Sequence, residues 1–173
     1  HVGMNVAADA FVNSAMTGAN GGLVVVAADD PSMHSSQNEQ DSRFYGKFSL
    51  IPVFEPSTQQ ETYDMVRAAF DLSERFRIPV LMRLTTRMAH SRAVVETGEA
   101  RAENPLSHPE QPRQWVLMPG NSRVRYNTLL DDYARFETEA AESRFNRYTD
   151  APDKSVGIIA CGIAHNYLAE NYP

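Results

Sequence analysis

Cysteine is almost absent from this sequence of 173 residues, with Cys161 as its single occurrence. A lone thiol excludes an internal disulfide, a cysteine-based zinc site and an iron–sulfur cluster ligated within the chain. Long apolar runs are lacking as well. Those present, such as Leu23 to Ala28, fall far short of the roughly 20 residues that cross a bilayer. Cations are the minority charge, with 16 Lys and Arg against 22 Asp and Glu and a net charge of −6. That balance argues against a nucleic-acid footprint or a polybasic membrane patch. There is no Walker A loop, G-x-S-x-G elbow or H-E-x-x-H, and Gly157 and Gly162 are too isolated to form G-x-G-x-x-G. A self-contained hydrolase or nucleotide-binding enzyme loses ground on those absences. What remains, at 42% hydrophobic and 22% charged, is the composition of a soluble globular protein with one sizeable core. The missing disulfides and the acidic balance fit a cytoplasmic setting.

Helix and strand signals alternate along the chain. Met4, Ala7, Ala8, Phe11, Val12, Ala15 and Met16 recur at helical spacing from Val2 to Met16, and Gly18, Asn20, Gly21 and Gly22 stop that helix. The unbroken run Leu23 to Ala28 predicts a strand buried on both faces, as in a parallel sheet. A polar stretch from Asp29 to Asp41 follows and is expected to become a short helix near Gln37 that continues through Phe44 and Tyr45. Ile51–Phe54 predicts a short strand. Ser57 then opens the clearest helix, with Gln60 completing a capping box. Tyr63, Val66, Ala69, Phe70, Ser73 and Phe76 fall on its apolar face, and Arg67/Asp71 and Asp71/Arg75 are spaced for ion pairs. Val80–Leu84 predicts another buried strand. This order implies βαβ units and a three-layer α/β/α fold with a mainly parallel sheet. Arg92–Val95 is a candidate strand, and Gly98–Pro119 is a proline-bearing connection. Tyr126, Leu129, Leu130, Tyr133, Phe136 and Ala140 mark a long amphipathic helix. Val156–Gly162 predicts a strand that buries Cys161 and leads into a helix over Ala164–Glu170. Three segments are therefore expected: residues 1–97 as a first α/β unit, 98–154 as linker and long helix, and 155–173 as the start of a second α/β unit. His1 stands where a methionine is usual, and the chain reads as a piece of something longer.

In open α/β sheets, ligands bind beyond the carboxyl ends of the strands. The stretch after Ala28 holds that position and is dense in hydrogen-bonding side chains. Two readings stand side by side: a ligand-facing loop, and a surface loop whose Ser, Asn and Asp side chains cap a helix. His34 is a candidate general base and equally an exposed loop residue. Asp29-Asp30 resembles a magnesium pair, yet hard cations need converging oxygens, so capping is the preferred reading and no metal ligand is assigned. Thr85-Thr86-Arg87 and His90-Ser91-Arg92 follow the last strand at the same sheet edge, where an arginine can grip a carboxylate or phosphate or pair on the surface.

Several segments are recognisable together: V-G-M-N-V-A-A-D (Val2–Asp9), G-G-L-V-V-V-A-A-D-D-P-S-M-H-S-S-Q-N-E-Q-D (Gly21–Asp41), E-P-S (Glu55–Ser57), P-V-L-M-R-L-T-T-R (Pro79–Arg87) and V-G-I-I-A-C-G-I-A (Val156–Ala164). Their order resembles the alpha subunit of indolepyruvate:ferredoxin oxidoreductase, a thiamine-diphosphate-dependent 2-oxoacid oxidoreductase. The resemblance implies that residues 1–97 are part of a pyrimidine-binding domain. The parent then decarboxylates aryl 2-oxoacids, forms acyl-CoA with coenzyme A and passes electrons through iron–sulfur clusters to ferredoxin. It implies cofactor contacts by Ser35, Ser36, Gln37, Asn38 and Asn5, and substrate contacts by His34, Gln40 and Arg87. Thiamine diphosphate and magnesium, a second subunit and an oligomer belong to the parent. The family's pyrimidine-activating glutamate, its G-D-G metal-diphosphate motif and its cysteine clusters are absent from this chain, which by itself is expected to be inactive. The competing readings are a pyruvate-type relative, a non-catalytic α/β interaction module, and a stand-alone enzyme using His34 and Asp30.

Overall fold

The computed structural model describes residues 1–172; Pro173, the last residue of the expected third segment, lies outside them. Its sheet has three strands, β1 (Val24–Asp29), β2 (Val53–Phe54) and β3 (Val80–Thr85), all parallel in the order β1-β3-β2. The helices are α1 (Val2–Val6), α2 (Ala8–Thr17), α3 (Arg43–Ser49), α4 (Gln59–Phe76), α5 (Thr86–His90), α6 (Pro119–Glu142) and α7 (Ala164–Asn171). They lie on both sides of the sheet, in the three-layer arrangement that alternating βαβ units produce. Among the described residues no helix is long and apolar enough to cross a membrane.

The central strand β3 is the apolar run Val80-Leu81-Met82, and it is buried on both faces. Leu81 and its β1 and β2 neighbours Val25, Ala27 and Val53 face Phe11 and Ala15 of α2 and Leu129 and Phe136 of α6. Strand periodicity turns Val80 and Met82 the other way, toward α4, whose Met65 and Ala69 are buried. β1 departs from expectation. It is an edge strand, so its outer face lacks the cover that β3 enjoys: Val26 is 55% exposed and Ala28 is exposed, while Ala27 and Asp29 are buried.

Other expectations shift locally. The first helix is two, broken at Ala7 (φ −88°, ψ 3°), which lets α1 turn toward the loop after β1. The helix expected from Gln37 starts only at Arg43. Carboxylates of Asp30 and Glu39 take the backbone N–H groups of Ser35, Ser36 and Ser32, and such local bonds compete with a helical ladder. The cap of α4 lies one residue later than predicted: Thr58 Oγ1 accepts the N–H of Glu61 (3.1 Å), and the Glu61 carboxylate accepts the N–H and hydroxyl of Ser57 at 2.8 and 2.6 Å. On α4 the expected Arg67/Asp71 and Asp71/Arg75 pairs do not form. Asp71 pairs with Arg101 and Arg75 with Glu139, and Phe70 stays exposed.

Residues 91–111 hold no strand, so the one proposed at Arg92–Val95 is absent. Instead the segment runs along α4 as a strap. The Gln60 side-chain amide donates to the carbonyl of Glu96 (3.2 Å) and accepts its N–H (2.8 Å). Tyr63 Oη accepts the N–H of Gly98, and Arg67 donates to the carbonyl of Glu99. α6 begins with Pro119 at its first turn, where the missing N–H costs nothing, and Arg125 donates to the carbonyls of Met16 and Thr17 at the end of α2. Val156–Gly162 is irregular, because no neighbouring strand pairs with it among the described residues. Ile159 is 96% exposed, and Cys161, expected buried, is exposed. The following helix does form, as α7.

Candidate functional site

Parallel strands deliver the segments after β1, β2 and β3 to one edge. Because side chains alternate along a strand, the adjacent carboxylates of Asp29 and Asp30 part company there. Asp29, 1% exposed, turns into the sheet's covered face. It accepts the N–H and hydroxyl of Ser42 (2.8 and 2.5 Å) and the Nε of Arg83 (2.6 Å), which fixes the entrance of α3. Arg83, buried on β3, also donates to Glu55 at 2.6 Å, and Arg43 joins Glu55 to Asp41. Asp30 goes elsewhere. Its Oδ2 accepts the N–H groups of Ser35 (2.8 Å) and Ser36 (2.9 Å), and its Oδ1 accepts the hydroxyl of Thr86 (2.6 Å). The pair is therefore spent on hydrogen bonds. Among the described residues no group of three or more His, Cys, Asp or Glu side chains is placed to hold a metal ion.

The loop itself departs from easy backbone. Ser32 and Met33 take left-handed φ values of 67° and 53°, a conformation that costs non-glycine residues about 1–3 kcal/mol each. Asp30, together with the Glu39 carboxylate on the N–H of Ser32 (3.0 Å), holds the turn from behind. The consequence is that His34, Ser35, Gln37 and Asn38 stand exposed, with Ser36 and Gln40 half-buried.

A second set of contacts ties this loop to the first helix. Asn5 Nδ2 donates to Gln40 Oε1 (2.7 Å), Gln40 Nε2 donates to Asn38 Oδ1 (2.9 Å), and the Tyr45 hydroxyl donates to Asn5 Oδ1. Three residues singled out from sequence, Asn5, Asn38 and Gln40, are thus brought together across 35 positions of chain. Arg87 is not brought to them. Its guanidinium lies 5.2 Å from the centre of the Tyr167 ring, a cation–π contact that ties α5 to α7. The same side of the edge is covered by the end of the chain: Asn166 donates to the carbonyl of Ser57 (2.8 Å). Gly162 (φ 54°) lies so close to Glu55 that a Cβ there would meet its side chain at 2.5 Å.

With the geometry in view, the relatives are informative. The chain is 47% identical over 171 residues to the indolepyruvate oxidoreductase subunit IorA of Methanothermobacter marburgensis, with 97% of this chain and 28% of that subunit covered. The subunits named IorA of Archaeoglobus fulgidus and Pyrococcus abyssi are 46% and 44% identical, each matching 98% of this chain and 27% of their own length. The chain belongs to the IorA family. It spans a little over a quarter of the length of these curated members. No family model matches it, and no solved structure does.

Within this IorA-family segment, the sequence led to the loop but not to the groups behind it. Arg83, Glu55 and Thr86 carry much of the edge's bonding. Arg83 had a usable signal, since a charged residue inside a buried strand run is rarely left unpaired. Thr86 had none.

Asp30 also gives the edge an acid dependence. The Thr86 hydroxyl and the two serine N–H groups hold its carboxyl well below the usual carboxylate range. A depressed acid stabilises the fold fully above its unfolded value, near 3.8, and loses that contribution as pH falls through the folded value. The amide proton shifts of Ser35 and Ser36 should hence stay constant from neutral pH to below 4 and titrate only in stronger acid. A midpoint at the ordinary aspartate value would show the carboxylate free of both amides.

Proposed function

We propose that this chain is the pyrimidine-side half-site of a thiamine-diphosphate-dependent oxidoreductase subunit acting on aryl 2-oxoacids such as indolepyruvate. In the overall reaction carbon dioxide leaves, the acyl group passes to the thiol of coenzyme A, and the electron pair passes to ferredoxin. The observation that carries the reading is the row of hydroxyl and amide side chains, Ser35, Ser36, Gln37, Asn38 and Gln40, at the carboxyl edge of a parallel sheet in a chain related to indolepyruvate oxidoreductase subunits.

The donor set fits one end of the cofactor and not the other. Uncharged hydroxyls and amides suit an aminopyrimidine, which presents ring nitrogens and an amine. A diphosphate needs cations or a metal, whereas Arg83 and Arg43 here are already engaged by Asp29, Asp41 and Glu55. We assign the diphosphate and its magnesium ion, like the iron–sulfur clusters, to the rest of the whole protein. Thiamine diphosphate, when bound, supplies the electron sink for decarboxylation. Ser35, Ser36 and Gln37 bind and orient its pyrimidine ring, Asn5 and Asn38 support that contact through the Gln40 bridge, and His34 faces the substrate. The designation of the relatives as subunits supports a second subunit, and the whole protein is read as cytoplasmic.

A second reading, a non-catalytic interaction module, is favoured by Phe44 and Phe48 on α3, which are 72% and 74% exposed. The two separate in the whole protein with its partner subunit. Replacing both Ser35 and Ser36 by alanine should lower kcat/KM for indolepyruvate roughly tenfold, the value of one or two lost hydrogen bonds, with little change in Tm. Unchanged kinetics remove the loop from the site.

A further inference from the structure

Loops that carry binding groups are placed by something, and here the placing group is buried. Asp30 is 5% exposed, and both of its carboxylate oxygens are engaged by protein groups. One of its oxygens takes two successive amides, those of Ser35 and Ser36, while the other takes the hydroxyl of Thr86, the first residue of α5. The carboxylate therefore spans from the segment after β1 to the segment after β3. The register behind it is set by the ladder, which puts Asp29 opposite Thr85. The turn it holds is one the chain would not choose, because Ser32 and Met33 sit in the left-handed region without being glycine. A strained turn persists only where its surroundings over-determine it, and this one has its anchor on the segment that follows a different strand, β3.

We infer that Asp30 and Thr86 are positioning residues: together they set the Ser35–Ser36 pair at the height from which it meets its ligand, and Thr86 makes that height depend on β3. The inference rests on the assignment of the loop to the pyrimidine side of the cofactor. Neither residue touches ligand, so neither is catalytic. Their effect is one of placement, and small misplacements of binding groups are costly in rate.

The variant to use is Thr86→Val, which keeps the shape and removes the hydroxyl, with Thr86→Ser to restore it. The whole protein with its partner subunit is assayed for amide hydrogen exchange, thiamine diphosphate binding by calorimetry, and turnover of indolepyruvate. Thr86→Val should speed exchange at the Ser35 and Ser36 amides. It should also weaken cofactor binding and lower kcat by about tenfold to a hundredfold, and Thr86→Ser should recover all three. Faster exchange with unaltered binding and turnover would overturn the inference and leave Thr86 a purely structural contact. Unaltered exchange would overturn it too, by showing that the clamp does not hold the turn. If Ser35→Ala/Ser36→Ala leaves cofactor binding intact, the site assignment fails and takes the inference with it, a pattern distinct from the other two.

Discussion

Arg83→Met should destabilise the chain by about 3–5 kcal/mol, the cost of stranding a buried carboxylate when its partner is removed. Arg83 Nε lies 2.6 Å from Asp29 and its Nη1 2.6 Å from Glu55, and the side chains of the first pair are 7% and 0% exposed. Without the guanidinium, Asp29 keeps only the two Ser42 bonds, while Glu55 keeps the more exposed Arg43. For a chain of this size the change corresponds to a fall in Tm of roughly 6–20 °C. Adding Asp29→Asn to the variant should recover a large part of the loss, since the penalty belongs to the unpaired charge and not to the missing pair. Thermal unfolding of the single and double variants decides it. A loss below about 1 kcal/mol, the range of a surface pair, would mean that water reaches the site.

Gly18→Ala should cost about 3 kcal/mol or more, by two mechanisms acting together. Gly18 ends α2 at φ 75°, ψ −174°, a region nearly closed to residues with a Cβ. An added Cβ would also stand 2.6 Å from the carbonyl oxygen of Arg77, and that oxygen is fixed because it accepts the N–H of Ala19 at 2.8 Å. Backbone on both sides leaves nothing flexible to yield. Gly3→Ala is the control. Gly3 lies within α1 with open space where its Cβ would go, so the change should be neutral or stabilising by up to about 1 kcal/mol. Equal effects at the two positions in urea unfolding would contradict the steric account.

What was readable from residues alone follows from which interactions are local. The apolar run Val80–Met82 and the single-faced periodicity of α4 specify their elements directly, and the parallel sheet follows from their alternation. The cap of α4 was misplaced by one because Ser57 and Thr58, and likewise Gln60 and Glu61, are all competent. The choice falls to Glu61, whose carboxylate can take both donors of Ser57 where an amide oxygen serves less strongly. The candidate site was chosen by the rule that ligands gather beyond strand carboxyl ends, and the loop after β1 does lie at that edge. Its internal wiring was only half so. The opposite destinations of Asp29 and Asp30 follow from strand pleating, but the partners waiting there, Ser42 and Thr86, depend on register between distant segments. Arg87 shows the same limit: the aromatic ring it lies against belongs to α7. Val156–Gly162 carries a strand's composition without a neighbour to pair with among the described residues, and composition alone does not supply one.

The strap on α4 is gripped chiefly by its main chain at its start: Gln60 reads the peptide group of Glu96, Tyr63 the amide of Gly98 and Arg67 the carbonyl of Glu99. A hold of that kind is indifferent to the letters it holds. Residues 96–99 are accordingly free to drift in identity while their path is kept, whereas the constraint rests on the helix side, where three side chains serve as the ruler against which that path is measured.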